Sequence, residues 1–228
     1  MVEKPIISAA EAAARVKDGQ TVLMGGFLAC GSPHTVIQAM KGLGLKDLTL
    51  VCNDTAAHDL KSGKITGVAH LIQARVFRKI VTSHIGLNQE TQRQMNSGET
   101  EVELVPQGTL AERIRAAGAG LGGILTPTGV GTEVEQGKQV ITVGDRLYLL
   151  ELPIKGDVAL VKAWKADKAG NLVYRATARN FNPLMATAAD LVIAEAEEIV
   201  EVGELDPNEV HTPSILVDVL VKAERLEW

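Results

Sequence analysis

The chain has 228 residues, 46% of them apolar, and a formal net charge of -5 with acids and bases interspersed. That length and apolar content suit a folded α/β protein with a real core and argue against disorder. The mild, mixed charge gives no electrostatic footprint for nucleic acid or an anionic membrane, so an anionic ligand would need local donors. No stretch approaches the ~18 apolar residues of a membrane span. The first residues, MVEKPIISAAEAAARVKDG, carry acids and no unbroken apolar run, so neither a signal peptide nor a transit peptide is expected and a cytoplasmic location is. Two cysteines, Cys30 and Cys52, make neither a metal cluster nor a disulfide framework and read as small buried residues.

In chain order, Ser8 and Glu11 form a capping box that opens a helix over residues 9 to 18, stopped by Gly19. TVLM reads as a buried strand. Ser32 as N-cap and Pro33 as first helical residue open a second helix, with Val36, Ile37, Met40 and Leu43 on one face. LTLVCND, ending at Asp54, is the next strand; KIVTSHIG (79 to 86) is a third, followed by a polar helix from Asn88 to Asn96 and a strand EVELVP over 101 to 106. Thr109 and Glu112 form a further capping box for LAERIRAA. This alternation predicts an open, largely parallel, doubly wound sheet. The C-terminal half adds β-hairpins, KQVITVGDRLYLLEL turning at Gly144-Asp145 and DVALVKAWKADKAGNLVYR turning at Gly170-Asn171. DLVIAEAEEIV and SILVDVLV supply the closing strands. No Gly-, Ser- or Pro-rich linker divides the chain, so residues 1–228 are read as a single domain.

Ligands of open parallel sheets bind outside the carboxyl ends of the strands. The residues there are Gly25, Gly26 and Phe27 after the first strand, Asn53 and Asp54 at the end of the second, Ser83, His84 and Gly86 at the third, and Gln107 and Gly108 after the fourth. One edge thus collects backbone amides and two carboxamides, donors that suit an oxygen gaining negative charge during acyl transfer. Singly, each has a bland explanation: a tight turn, a strand-end cap, a satisfied loop carbonyl. A Ser83–His84–Asp54 triad is disfavoured, because adjacent strand residues point to opposite faces and no G-x-S-x-G elbow occurs. Gly118, Gly120 and Gly123 fit G-x-G-x-x-G but follow a helix rather than a strand, so they read as a helix end and not as a dinucleotide loop. No metal-ligand spacing and no P-loop is present in the sequence.

The stretch DGQTVLMGGFLACGSP (Asp18 to Pro33) meets every fixed position of the signature of coenzyme A-transferase family I: an acid and glycine, an apolar triplet, Gly-Gly-Phe, three variable residues, then Gly-x-Pro. The resemblance continues through LTLVCND, SHIG, VPQGTLAERIRAAGAGLGG, LTPTGVGT, ALVKAWKAD, AGN and ARNFNP, nearly the whole chain. It resembles the separate α subunit of acetate or butyrate-acetoacetate CoA-transferases. The resemblance implies ping-pong exchange of CoA between an acyl-CoA and a free carboxylate, through a glutamyl-CoA thioester. No permanently bound cofactor or metal is implied; coenzyme A is a substrate. The glutamate belongs to a β subunit in the family and its motif has no match here, so this chain is expected to hold part of an active site in an α2β2 assembly, with an apolar surface awaiting the partner. Carried over by position, Gly25, Gly26, Phe27, Leu28, Ala29, Cys30 and Gly31 match the CoA-binding loop, and Asn53 and Gln107 match carboxamides that face the reacting carbonyl. Asp54 stands where some relatives carry a second asparagine and receives no role; Cys30 occupies a variable position. A CoA thioester hydrolase and a non-enzymatic small-molecule sensor are the alternatives.

Overall fold

The computed structural model describes residues 2–224. The elements are β1 (Ile6–Ile7), α1 (Ala9–Ala13), β2 (Thr21–Met24), α2 (His34–Lys41), β3 (Leu48–Asp54), α3 (Ala69–Gln73), β4 (Phe77–His84), α4 (Gln89–Ser97), β5 (Glu101–Leu104), α5 (Gln107–Gly118), β6 (Ile124–Thr126), β7 (Val140–Val143), β8 (Arg146–Glu151), β9 (Gly156–Asp167), β10 (Leu172–Val173), α6 (Asn182–Thr187), β11 (Ala189–Val200) and β12 (Val219–Lys222).

Strands buried on both faces read as apolar runs, and alternation sends successive residues to opposite layers. In β2, Val22 and Met24 join the core under α1, α2 and α3, while Leu23 joins the opposite core under α5 and α6. Val158 and Leu160 of β9 divide in the same way from Ala159 and Val161. The main sheet runs β1-β12-β11-β9-β2-β3-β4-β5, parallel throughout, with β10 antiparallel beside β9. A separate antiparallel sheet, β6-β8-β7, carries the hairpin expected around Gly144-Asp145. From β2 the chain builds outward through β3, β4 and β5, then returns to build β9, β11 and β12 on the other side of β2. The order therefore reverses at β2, and a crevice opens at the carboxyl end of such a strand.

Several local expectations are corrected. The first helix is helical only over Ala9–Ala13; Arg15 and Val16 then donate to Ala12 and Ala13, a tighter turn that drives Val16 into the core. The Ser8–Glu11 capping box is present. Ser32 does not cap α2. Its hydroxyl lies against Gly26, and the first-turn N–H of Val36 is taken instead by Glu195 of β11, Oε2 at 3.1 Å. Leu43 follows the helix end and is exposed. The expected Thr109–Glu112 box does not form, because α5 begins earlier, directly after Pro106, and leaves Thr109 within its first turn. The second hairpin is short: β10 pairs over two residues with β9, and Leu172 N–H turns to Thr212. Of the two cysteines only Cys52 is buried, and burial pushes its thiol pKa up; Cys30 is exposed. Gly118, in the glycine-rich run, closes α5 against Thr187, whose Oγ1 lies 2.3 Å from the position a Cβ would take.

Glu195 is fully buried, with Lys162 Nζ at 3.3 Å, and burial raises its carboxyl pKa while Lys162 and the Val36 N–H oppose that rise. Replacing the cap by Glu195→Ala removes about 1–2 kcal/mol or more of stability. Glu195→Gln keeps an oxygen for Val36 and loses less; urea unfolding of both variants measures the difference.

Candidate active site

At the strand-order reversal, Gly25 N–H makes the last bond to β9, donating to Leu160 O at 3.0 Å, and the chain then leaves the sheet. Phe27 and Cys30 exchange both backbone hydrogen bonds, at 3.0 and 2.9 Å, closing a two-residue turn. Its central residues, Leu28 and Ala29, have φ of 47 and 70, as a type I′ turn requires of both. Neither is glycine, so the turn costs about 1–2 kcal/mol per residue and persists only if its surroundings over-determine it.

They do, from four directions. Asp54 at the end of β3 accepts the Leu28 N–H at 2.9 Å. His34 at the start of α2 donates from Nε2 to Ala29 O at 3.1 Å. Asn180 accepts the Gly26 N–H and donates to Cys30 O, at 3.2 and 3.0 Å, and Asn182 donates to Gly31 O at 3.0 Å. The glycines are there for this internal fit. A Cβ on Gly25 would lie 1.8 Å from Asn182 Oδ1, on Gly26 2.2 Å from Ser32 Oγ, and on Gly31 2.5 Å from Ala178 O. Gly25 and Gly26 are buried; the surface of the loop is Phe27, Leu28 and Cys30. Both asparagines lie in ARNFNP, whose letters hold no hint of a role beyond two carboxamides spaced by one aromatic.

The carboxamides come together beside this loop. Asn53, 1% exposed, lies at the carboxyl end of β3. Pro106 starts α5 at Gln107 and thereby aims that side chain across β4, so that Gln107 Nε2 donates to Asn53 Oδ1 at 2.7 Å. Asn53 Nδ2 donates in turn to Asp54 Oδ2 at 2.7 Å, and Asp54 Oδ1 accepts the Ala56 N–H at 2.8 Å. Ser83 donates to the backbone oxygen of Asn53 at 2.6 Å, which leaves no serine–histidine couple. His84 is exposed, its ring against Gly86. Gln107 is exposed above Asn53, with one Nε2 proton not used by that bond. A cleft of ≈ 480 Å³ opens along the first turn of α5 between Gly108, Thr109 and Thr126, and another of ≈ 310 Å³ lies behind the loop between Cys30, His34, Trp164 and Arg175.

The fold and this edge define a class: a doubly wound protein that gathers a clamped backbone loop and two carboxamides at the carboxyl ends of its parallel strands. The chain belongs to the coenzyme A transferase family, whose profile matches residues 6–223. It is 52% identical over 218 residues to one subunit of the probable succinyl-CoA:3-ketoacid coenzyme A transferase of Bacillus subtilis (strain 168), covering 96% of this chain and 89% of that one. It is 50% identical over 208 residues to the alpha subunit of the acetate CoA-transferase of Escherichia coli (strain K12), covering 91% and 92%. The acyl-CoA transferase of Escherichia coli O157:H7, solved as a thioester complex with CoA, shares the fold with a TM-score of 0.85 at 21% identity, over 97% of this chain and 47% of that one.

Burial, reinforced by the Lys162 charge, lowers the His34 pKa to about 4 against the bond to Ala29 that raises it. The unfolded chain takes up this proton near pH 6.5 and the folded chain does not until pH is near 4. The contribution is therefore complete above about pH 6.5 and is lost as pH falls toward 4, up to about 3 kcal/mol. Urea midpoints at pH 7 and pH 5 should separate for the wild type and separate less for His34→Gln, which keeps an N–H for Ala29; His70 and His211, whose pKa values burial also lowers, leave a remainder. Gly25→Ala, driven into Asn182, should lose about 1–3 kcal/mol at any pH in the same measurement.

Proposed function

We propose that this chain is the α subunit of a heteromeric CoA-transferase that moves CoA between a short-chain acyl-CoA or 3-oxoacyl-CoA, such as acetyl, butyryl or acetoacetyl, and a free carboxylate. The observation that carries this reading is the Gln107–Asn53 pair beside the clamped loop. Gln107 donates its remaining Nε2 proton to the reacting carbonyl, and Asn53 beneath it holds the amide in place. The crest Phe27 to Cys30 lies along the thioester arm of CoA, while Gly25, Gly26 and Gly31 let the loop close against Asn180 and Asn182. Residues 1–228 act as one domain, CoA enters and leaves as substrate, and the reaction takes place in the cytoplasm.

The nucleophilic glutamate comes from a β subunit, in an α2β2 tetramer, and forms the glutamyl-CoA thioester of a ping-pong cycle. Asp54 supports this division of labour: both of its oxygens are taken by N–H donors and it is 6% exposed, so it is no nucleophile. That both relatives are named as single subunits of larger enzymes supports it as well. So does the rim of the site, where Phe27, Leu28, Leu60, Leu87 and Leu104, in or just after the ends of β2 to β5, leave large apolar side chains exposed. Among the described residues no helix is long and apolar enough to cross a membrane.

The test is CoA exchange from acetoacetyl-CoA to acetate or butyrate, with this chain by itself and with its β partner present. Transfer in the mixture only is expected; transfer by the chain alone would place the nucleophile in these residues, and thiol release indifferent to added acid would mark a hydrolase. In the mixture, Asn53→Ala and Gln107→Ala should each lower kcat on the order of a hundredfold with folding intact. Cys30→Ala should keep full activity.

A further inference from the structure

Asp54 has a place in the site that neither its exposure nor the reaction requires. Among the described residues no lysine or arginine pairs with this buried carboxylate. It is held by N–H groups alone: Leu28, Ala56 and the Asn53 carboxamide, at 2.9, 2.8 and 2.7 Å. A carboxamide presents oxygen on one side and nitrogen on the other, and either can face a neighbour unless that neighbour is a pure acceptor or a pure donor. A carboxylate is a pure acceptor. Turning Asn53 over would set its Oδ1 against Asp54 Oδ2, two oxygens at hydrogen-bond distance with no proton between them.

Asn53 is therefore fixed with nitrogen toward Asp54 and oxygen toward Gln107. That oxygen accepts Gln107 Nε2 at 2.7 Å, so the second carboxamide is fixed in its turn, with nitrogen inward and one N–H proton still available. Building on the reading of Gln107 given above, we infer that Asp54 is a positioning residue which selects the orientation of both carboxamides, acting through Asn53 to keep an N–H of Gln107, and not its oxygen, turned to the reacting carbonyl. With Oε1 in that place the carbonyl would meet a repelling lone pair as its own negative charge grows. The same Oδ2 accepts the Leu28 N–H, so loop and carboxamides share one anchor.

The experiment compares kcat and KM of the assembled enzyme for Asp54→Asn, Gln107→Ala, their combination, and the exchange pair Asn53→Asp with Asp54→Asn. Asp54→Asn alone removes the pure acceptor, and kcat should fall at least tenfold with KM for the acceptor acid changed less than threefold. In the Gln107→Ala background the same substitution should remove less than a further threefold. The exchange pair should regain most of the lost kcat, because a carboxylate at position 53 offers Gln107 an acceptor whichever way it turns. A role limited to holding the Leu28 and Ala56 amides would not be rescued in this way. Multiplicative losses, no loss in Asp54→Asn, or a folded exchange pair no better than Gln107→Ala would overturn the inference. If Asp54→Asn alone does not fold, the exchange pair decides; failure of both to fold assigns Asp54 to the fold and overturns it too. Unchanged activity in Gln107→Ala, by contrast, would overturn the reading of Gln107 itself.

Discussion

A backbone amide taken out of water must find an acceptor, and nowhere in this molecule is that demand harder to meet than where the chain leaves the sheet after Gly25. Strand neighbours satisfy β2 up to Met24. Beyond it the chain turns through left-handed residues between two layers of helices, and side chains from β3, α2, the segment before α6 and the first residue of α6 supply the missing partners. Much of the rest is arranged around that solution. The carboxylate that accepts from the loop also orders the carboxamides, and the helix that brings His34 to the loop has its own first turn capped from β11. One set of polar contacts thus builds the crevice, and the site is what lines it.

The electrostatic character of the edge follows from how its charges are spent. Lys162, mostly buried, is engaged by Glu195 and Glu197, and Arg175 lies over Trp164 with Glu197 at 4.0 Å. Immediately around Asn53 and Asp54 the donors are the neutral N–H groups of Gln107, Leu28 and Ala56. Such donors interact weakly with a neutral carbonyl and strongly with one that has gained charge, which is the difference catalysis needs. A fixed cation there would hold a free carboxylate in its ground state, and exchange requires that every carboxylate leave again.

The sheet was legible because its determinants are local. Strand-like runs ending at Met24 and Asp54, and a third read over 79 to 86 that is found at Phe77–His84, separated by helical patterns, specify parallel strands, and their carboxyl-end residues meet where the topology says they should. The gathering of Asn53, Asp54, Ser83 and Gln107 needed no more than that. What was not legible is long-range. Ser32 looks like a cap because the sequence cannot show Glu195 arriving from β11, 159 residues away. Thr109 looks like a cap because Pro106 had already started the helix. The grip of Asn180 and Asn182 on the loop spans about 150 residues and leaves no periodic trace. The short helices α3 and α6 hold too few turns to show a stripe.

The three glycines whose missing Cβ atoms are replaced by Asn182, Ser32 and Ala178 have a further consequence for how this site could be moved or remade. The recognisable loop is not a portable cassette. Transplanted into another open sheet without the distant asparagine segment, it would keep the letters of its motif and lose the walls that give it shape. Transplanted with bulkier residues in place of the glycines, it could not seat against those walls. The smallest unit that carries the geometry is a pair of segments at opposite ends of the sequence, joined across β2 and β9, and any redesign of one is a redesign of both.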